Sequence, residues 1–101
     1  MALLPAGSLS ELPPGAVKEV DAGDATYVVC NVDGTLHCLG GTCPHAGGPL
    51  GEGILDGNTL MCPWHGWEFD CRSGLSISGD GLQVETYPVR VEDGNILIEV
   101  P

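Results

Sequence analysis

Hydrophobic positions along this chain recur every second residue, the spacing of a β-strand with one face buried. In "YPVRVEDGNILIEV" the apolar positions Val89 and Val91 are followed, across Asp93-Gly94, by Ile96, Ile98 and Val100. "ATYVVCNVDGTLHCLGG" is two β-rich runs joined at Asp33-Gly34, and both Asp-Gly steps are type I′ hairpin signals. A two-residue loop there pairs Val29 with Cys38 and Cys30 with His37. "GILDGNTLMC" predicts a third hairpin around Asp56-Gly57, and "WEFDCRSGL" a fourth around Arg72-Ser73-Gly74. No segment carries a 3.6-residue period. Short strands with turn signals at such intervals predict an all-β fold, a small antiparallel sandwich or barrel.

Composition narrows the picture. The 101 residues are enough for one domain with one modest core, and 16 glycines with 8 prolines fit a turn-rich chain. Three basic against 14 acidic residues give a net charge of −11. That field repels nucleic acid and anionic lipid, and it favours a protein partner with a basic docking patch. No run approaches the roughly 20 apolar residues of a membrane span. The opening "MALLPAGSLSELPPG" has no basic stretch before its short apolar run, so the expectation is a soluble, cytoplasmic protein. Five cysteines, an odd count, argue against a pure disulfide framework.

The chemistry is concentrated between residues 40 and 70. Cys43-Pro44-His45 and Cys62-Pro63-Trp64-His65 each offer one thiolate and one imidazole, with 16 residues between the pairs. Two soft and two borderline ligands suit zinc or an iron–sulfur centre. A structural zinc site usually gathers like ligands in pairs, whereas here each loop brings one sulfur and one nitrogen. That division suits a dinuclear core, one iron taking both thiolates and the other both imidazoles. Residues of about 40–75 then form a cluster-binding subdomain, inserted in a β base domain made of 1–39 and 76–101. Gly47, Gly48 and Gly66 either let amides approach cluster sulfurs closely or only make turns, and Pro44, Pro49 and Pro63 stiffen the loops. Trp64 and Trp67 flank His65, where they either shield the cluster or serve ordinary packing.

The pattern C-x-H followed by C-x-x-H resembles the Rieske family, as do the surrounding "CPHAGGPLGEG", "CPWHGWEFD" and "DGTLHCLGGTCPH". The likeness extends from about residue 25 onward. It implies a [2Fe–2S] cluster with Cys43 and Cys62 on the inner iron and His45 and His65 on the outer one. High-potential members carry an additional disulfide between the loops; the matching positions here are Gly48 and Trp64, so that disulfide cannot form. Those members also place Ser and Tyr hydroxyls near the sulfurs, where this chain has Trp67 and Phe69. Losing two donors moves the expected potential to the low end of the Rieske range. Three histidines, two spent on the cluster, leave too few for the 2-His-1-carboxylate iron of an oxygenase.

The resemblance therefore implies an electron carrier rather than an enzyme. It would pass single electrons from a flavoprotein NAD(P)H-dependent reductase to a terminal oxygenase. The alternatives are a small subunit held within a reductase such as a nitrite reductase, or a structural zinc-binding interaction module. Cys30, Cys38 and Cys71 read as small buried apolar residues. His37 reads as a surface or hydrogen-bonded histidine.

Overall fold

A computed structural model describes residues 2–22, 25–42, 49–64, 67–77 and 82–100. Its strands are β1 (Ala2–Ser8), β2 (Val17–Asp21), β3 (Thr26–Val32), β4 (Thr35–Gly40), β5 (Ile54–Asp56), β6 (Thr59–Met61), β7 (Glu68–Asp70), β8 (Thr86–Tyr87), β9 (Val89–Glu92) and β10 (Asn95–Val100). Two short 3-10 turns, Leu9–Glu11 and Leu50–Glu52, are the helical elements among the described residues. The strands form three antiparallel sheets, ordered β1-β10-β9, β2-β3-β4-β8 and β5-β6-β7. The fold is all-β, as the two-residue period predicts.

The sequence signals set the register. Asp33 and Gly34 both take positive φ, 50° and 95°, as do Asp93 and Gly94 at 52° and 79°. Type I′ turns demand this at both central residues, and Asp with Gly tolerates it. Val29 pairs with Cys38 and Cys30 with His37, as the two-residue loop requires. The third hairpin differs by one residue. Asp56 pairs with Thr59, so the loop is Gly57-Asn58, with Gly57 at φ 61° taking the first central position. The fourth turns through residues 71–74, where the Gly74 amide donates to the Asp70 carbonyl and the next residues run back along β7.

Strand β3 organises the core. Val28, Cys30 and Val32 point to one side, into a cluster with Leu39, Leu50, Leu60, Cys62, Phe69, Cys71 and Val84. Tyr27 and Val29 point to the other, toward Leu12, Val20, Cys38, Ile96 and Ile98. Opposite faces of one strand thus serve two cores, which is why its sequence reads as a nearly unbroken apolar run. Asn31 is the exception, a buried amide satisfied at both ends. Its Nδ2 donates to the Leu12 carbonyl at 2.8 Å, and its Oδ1 accepts the Gly34 amide at 2.7 Å.

The small sheet β5-β6-β7 is built from residues lying between β4 and β8 in the chain, where the sequence places the cluster-binding region. Its inner side chains Leu60 and Phe69 share the first core with β3 and β4. The two regions are therefore packed together through a common apolar interior. Residues from β1 to β10 bring the chain ends side by side, Ala2 opposite Val100. Among the described residues, no helix is long and apolar enough to cross a membrane.

Candidate metal centre

Both predicted ligand loops are closed at their bases by main-chain bonds. At the first, Thr42 and Pro49 form an antiparallel bridge, and the Leu50 amide donates to the Gly41 carbonyl at 2.9 Å. Gly41 is in turn tied to β3 through its amide and the Thr26 carbonyl, 2.9 Å apart. At the second, the Cys62 amide donates to the Trp67 carbonyl at 2.6 Å, extending the β6–β7 ladder by one step. Leu50, just beyond the first loop, and Cys62, at the start of the second, contribute to the same core cluster.

Glycines allow the connecting chain to approach so closely. A side chain on Gly51 would lie 2.5 Å from the Glu19 Cβ, and one on Gly53 would collide with the Met61 carbonyl. Gly53 thus lets the segment leaving the first loop pack on the strand that enters the second. Cβ-bearing residues do not fit there without displacing β6.

Of the four predicted ligands, Cys62 falls within the described residues; Cys43, His45 and His65 lie outside them, as do Gly47, Gly48 and Gly66. Cys62 is 1% exposed, and its Sγ accepts the amide of Trp64 at 3.4 Å. This donor was not among the glycines nominated from sequence. Its signal is the Cys-Pro step. Pro63 has no N–H and a fixed φ, so the amide two residues beyond the sulfur becomes the first available donor. The same step occurs at Cys43-Pro44.

A buried sulfur with an aimed amide fits a metal-bound thiolate, whose negative charge needs donors that the apolar surroundings do not provide. Trp64 is 49% exposed, whereas Trp67 is half-buried against the core. Phe69 is fully buried and shares its cluster with Cys62. The position at which the resemblance implies a Tyr hydroxyl in high-potential members is thus occupied by an apolar ring inside the core.

The other described cysteines follow the register. Cys30 and Cys38 are buried on opposite faces of the sheet, in different clusters, and both are free. Burial pushes the Cys38 thiol up to about 12. Cys30 and Cys71, far apart in sequence, are buried in the same core cluster. His37 lines a cleft together with Cys38 and Cys71.

A family model described as "Rieske [2Fe-2S] domain" matches residues 2–88. The chain belongs to the Rieske [2Fe–2S] domain family. That membership brings a Rieske-type [2Fe–2S] cluster as its cofactor.

Among relatives of this Rieske chain, the ferredoxin component of the naphthalene 1,2-dioxygenase system of Pseudomonas aeruginosa is 28% identical, over 92% of this chain and 90% of its own length. Apoptosis-inducing factor 3 of Mus musculus is 32% identical over 89% of this chain, which spans only 15% of that protein. The Sphingomonas yanoikuyae B1 ferredoxin superposes with a TM-score of 0.88 and 28% identity, covering 99% of this chain and all of its own. A chain from the complex of reduced oxygenase and oxidised ferredoxin in carbazole 1,9a-dioxygenase gives the same TM-score and identity, covering 95% of this chain and 91% of its own. A nitrite reductase small subunit from Mycobacterium tuberculosis, described as putative and NADH-dependent, shares the fold at TM-score 0.87 and 24% identity, covering 99% and 96%.

Proposed function

We propose that this Rieske protein is a one-electron carrier that accepts electrons from a flavoprotein NAD(P)H-dependent reductase and delivers them to a terminal oxygenase. Cys43, His45, Cys62 and His65 hold its cluster, within a subdomain of about residues 40–75 set in a base domain of 1–39 and 76–101. The observation that carries this reading is the buried Cys62 sulfur, backed by an apolar core and met by the Trp64 amide at the stem of a closed loop. When bound, the cluster supplies a reversible one-electron couple.

The chain's own residues set the conditions around it. Leu50, Leu60 and Phe69 keep water from the sulfur side. The Trp64 amide stabilises negative charge there, and the missing Ser and Tyr hydroxyls limit that stabilisation, which favours a low potential. The −11 charge steers a basic-patch partner, so transfer should slow as salt rises. The ferredoxin names of relatives aligned over nearly their whole length support the shuttle reading. The oxygenase–ferredoxin complex among its structural neighbours supports the terminal partner. We place the protein in the cytoplasm, where its thiols stay reduced.

Cys62→Ser tests the site. The wild type should purify coloured, with iron and acid-labile sulfide in equal amounts, and the variant should lose at least nine-tenths of both. A Cys62→Ser protein with an unchanged visible spectrum would remove Cys62 from the ligand set.

A further inference from the structure

The small sheet turns apolar side chains toward water. Burial of Leu60 and Phe69 fixes its inner face, so the alternate residues of each strand point outward. Pairing continues one line beyond β7. Phe69 bridges Ser76, the Ile77 amide donates to the Glu68 carbonyl at 3.0 Å, and the Asp70 amide donates to the Leu75 carbonyl at 2.9 Å. Ile54, Met61, Glu68 and Ile77 therefore lie in one row across the outer face, with Asp56, Thr59, Asp70 and Leu75 in the row beside it. Ile77 and Leu75 are 54% and 48% exposed, and Ile54 more so.

The charge on this face has no partner within the chain. All three of the chain's lysines and arginines are engaged: Lys18 with Glu11, Arg90 with Glu92, and Arg72 with Asp70. Asp56 and Glu68 are exposed, and neither forms an ion pair among the described residues. Two unmatched carboxylates thus stand within a cluster of exposed aliphatic side chains.

We propose that the outer face of β5-β6-β7 is a docking surface for a redox partner whose contact area has an apolar centre ringed by lysine or arginine. The proposal rests on the electron-carrier reading and gives it a place on the molecule. Ile54, Met61, Leu75 and Ile77 meet the apolar centre, and Asp56 and Glu68 meet the cations. The size of the face selects a brief contact. Four lines at ~4.8 Å spacing and about three residues at ~3.3 Å each give roughly 200 Å², against about 800 Å² per partner in a stable complex. A carrier needs such a contact, because it must leave after each electron. A second copy of this chain does not fit. It brings its own −11 charge, and the same two carboxylates would face each other. The face also lies close to the chemistry, since Met61 immediately precedes the proposed ligand Cys62.

Mitochondrial cytochrome c, a lysine-rich protein with an exposed apolar haem edge, is the probe. It is mixed at low ionic strength with the cluster-loaded protein, both oxidised, and coupled with a water-soluble carbodiimide, which joins a carboxylate to a lysine without a spacer. Peptide mass mapping should place most cross-links on Asp56 and Glu68. The double variant Ile54→Ser with Ile77→Ser keeps the charge and should weaken binding about fivefold in calorimetry, with the visible spectrum unchanged. Glu68→Gln should flatten the salt dependence, and Leu3→Ser, on β1, should bind as the wild type does. Cross-links centred on Asp33, Asp93 or Glu99 of the base domain overturn the assignment. Wild-type affinity in the double variant does the same, as does equal weakening in Leu3→Ser or coupling of the chain mainly to itself. Binding is read without electron transfer. A protein that docks by this face yet, once reduced, fails to reduce cytochrome c contradicts the carrier reading and not the docking surface.

Discussion

The sheet built on β3 and β4 and the small sheet β5-β6-β7 share one core but hold themselves together differently. Strand β3 has seven residues, paired on both edges and buried on both faces. Strands β5, β6 and β7 have three residues each, and of these only Leu60 of β6 and Phe69 of β7 are buried. The outer face of the small sheet leaves Ile54 at 66% exposure. Sheets this short are marginal on their own. The larger sheet therefore stabilises the fold, and the smaller one holds its loops in place by leaning on it. A cluster held by the proposed ligands would add binding free energy that so small a sheet lacks.

The largest expected effect comes from breaking the shared core. Leu39 is fully buried between the two regions, and Leu39→Ala should cost about 2–5 kcal/mol. Denaturant unfolding should then lose the whole structure in a single transition at lower concentration. A variant that lost only the cluster, with the unfolding midpoint unchanged, would separate the two regions.

Gly53→Ala sharpens the comparison from the other side. Its Cβ strikes the Met61 carbonyl, so β6 must move, at about 1–3 kcal/mol typical of overpacking. Because Met61 precedes Cys62, iron content should fall while hydrogen exchange of the β3 amides stays slow. Equal loss of protection in β3 and β6 would contradict the division.

How far the sequence revealed this follows from the same contrast. The β3–β4 and β9–β10 hairpins were legible to the residue because Asp-Gly steps fix the loop and two-residue alternation fixes the face. The ligand set is proposed from the sequence pattern itself, because Cys and His at that spacing have few other uses. Strands β1 and β2 were not. They are edge strands; β1 contains Pro5, and β2 reads Val-Lys-Glu-Val-Asp with little burial. The turn at Gly57-Asn58 was misplaced by one residue because two adjacent dipeptides, Asp-Gly and Gly-Asn, both signal turns. The gathering of Cys30 and Cys71 into one core cluster depends on how distant segments pack, which no local pattern records.

A smaller effect concerns alkaline stability of the larger sheet. Burial, then the hydrogen bond from its hydroxyl to Glu85, pushes the Tyr87 phenol up to about 12, and burial does the same for the Cys38 thiol. Both groups bind their protons more tightly folded than unfolded. Their contribution is complete below the ordinary values of 9.0 for Cys and 10.0 for Tyr, and it is lost as pH rises toward about 12. The midpoint of thermal unfolding should decline across that window. Tyr87→Phe combined with Cys38→Ala should flatten the decline, whatever its effect at neutral pH. An equally steep decline in the double variant would assign alkaline sensitivity to other groups.

The division of ligands between the two loops is the central claim, and electron–nuclear double resonance of the reduced protein carrying ¹⁵N-labelled histidine tests it most directly. Two strongly coupled histidine nitrogens are predicted, with one lost in His45→Cys and one in His65→Cys. Absence of histidine coupling in wild-type protein that contains iron and sulfide would contradict the account.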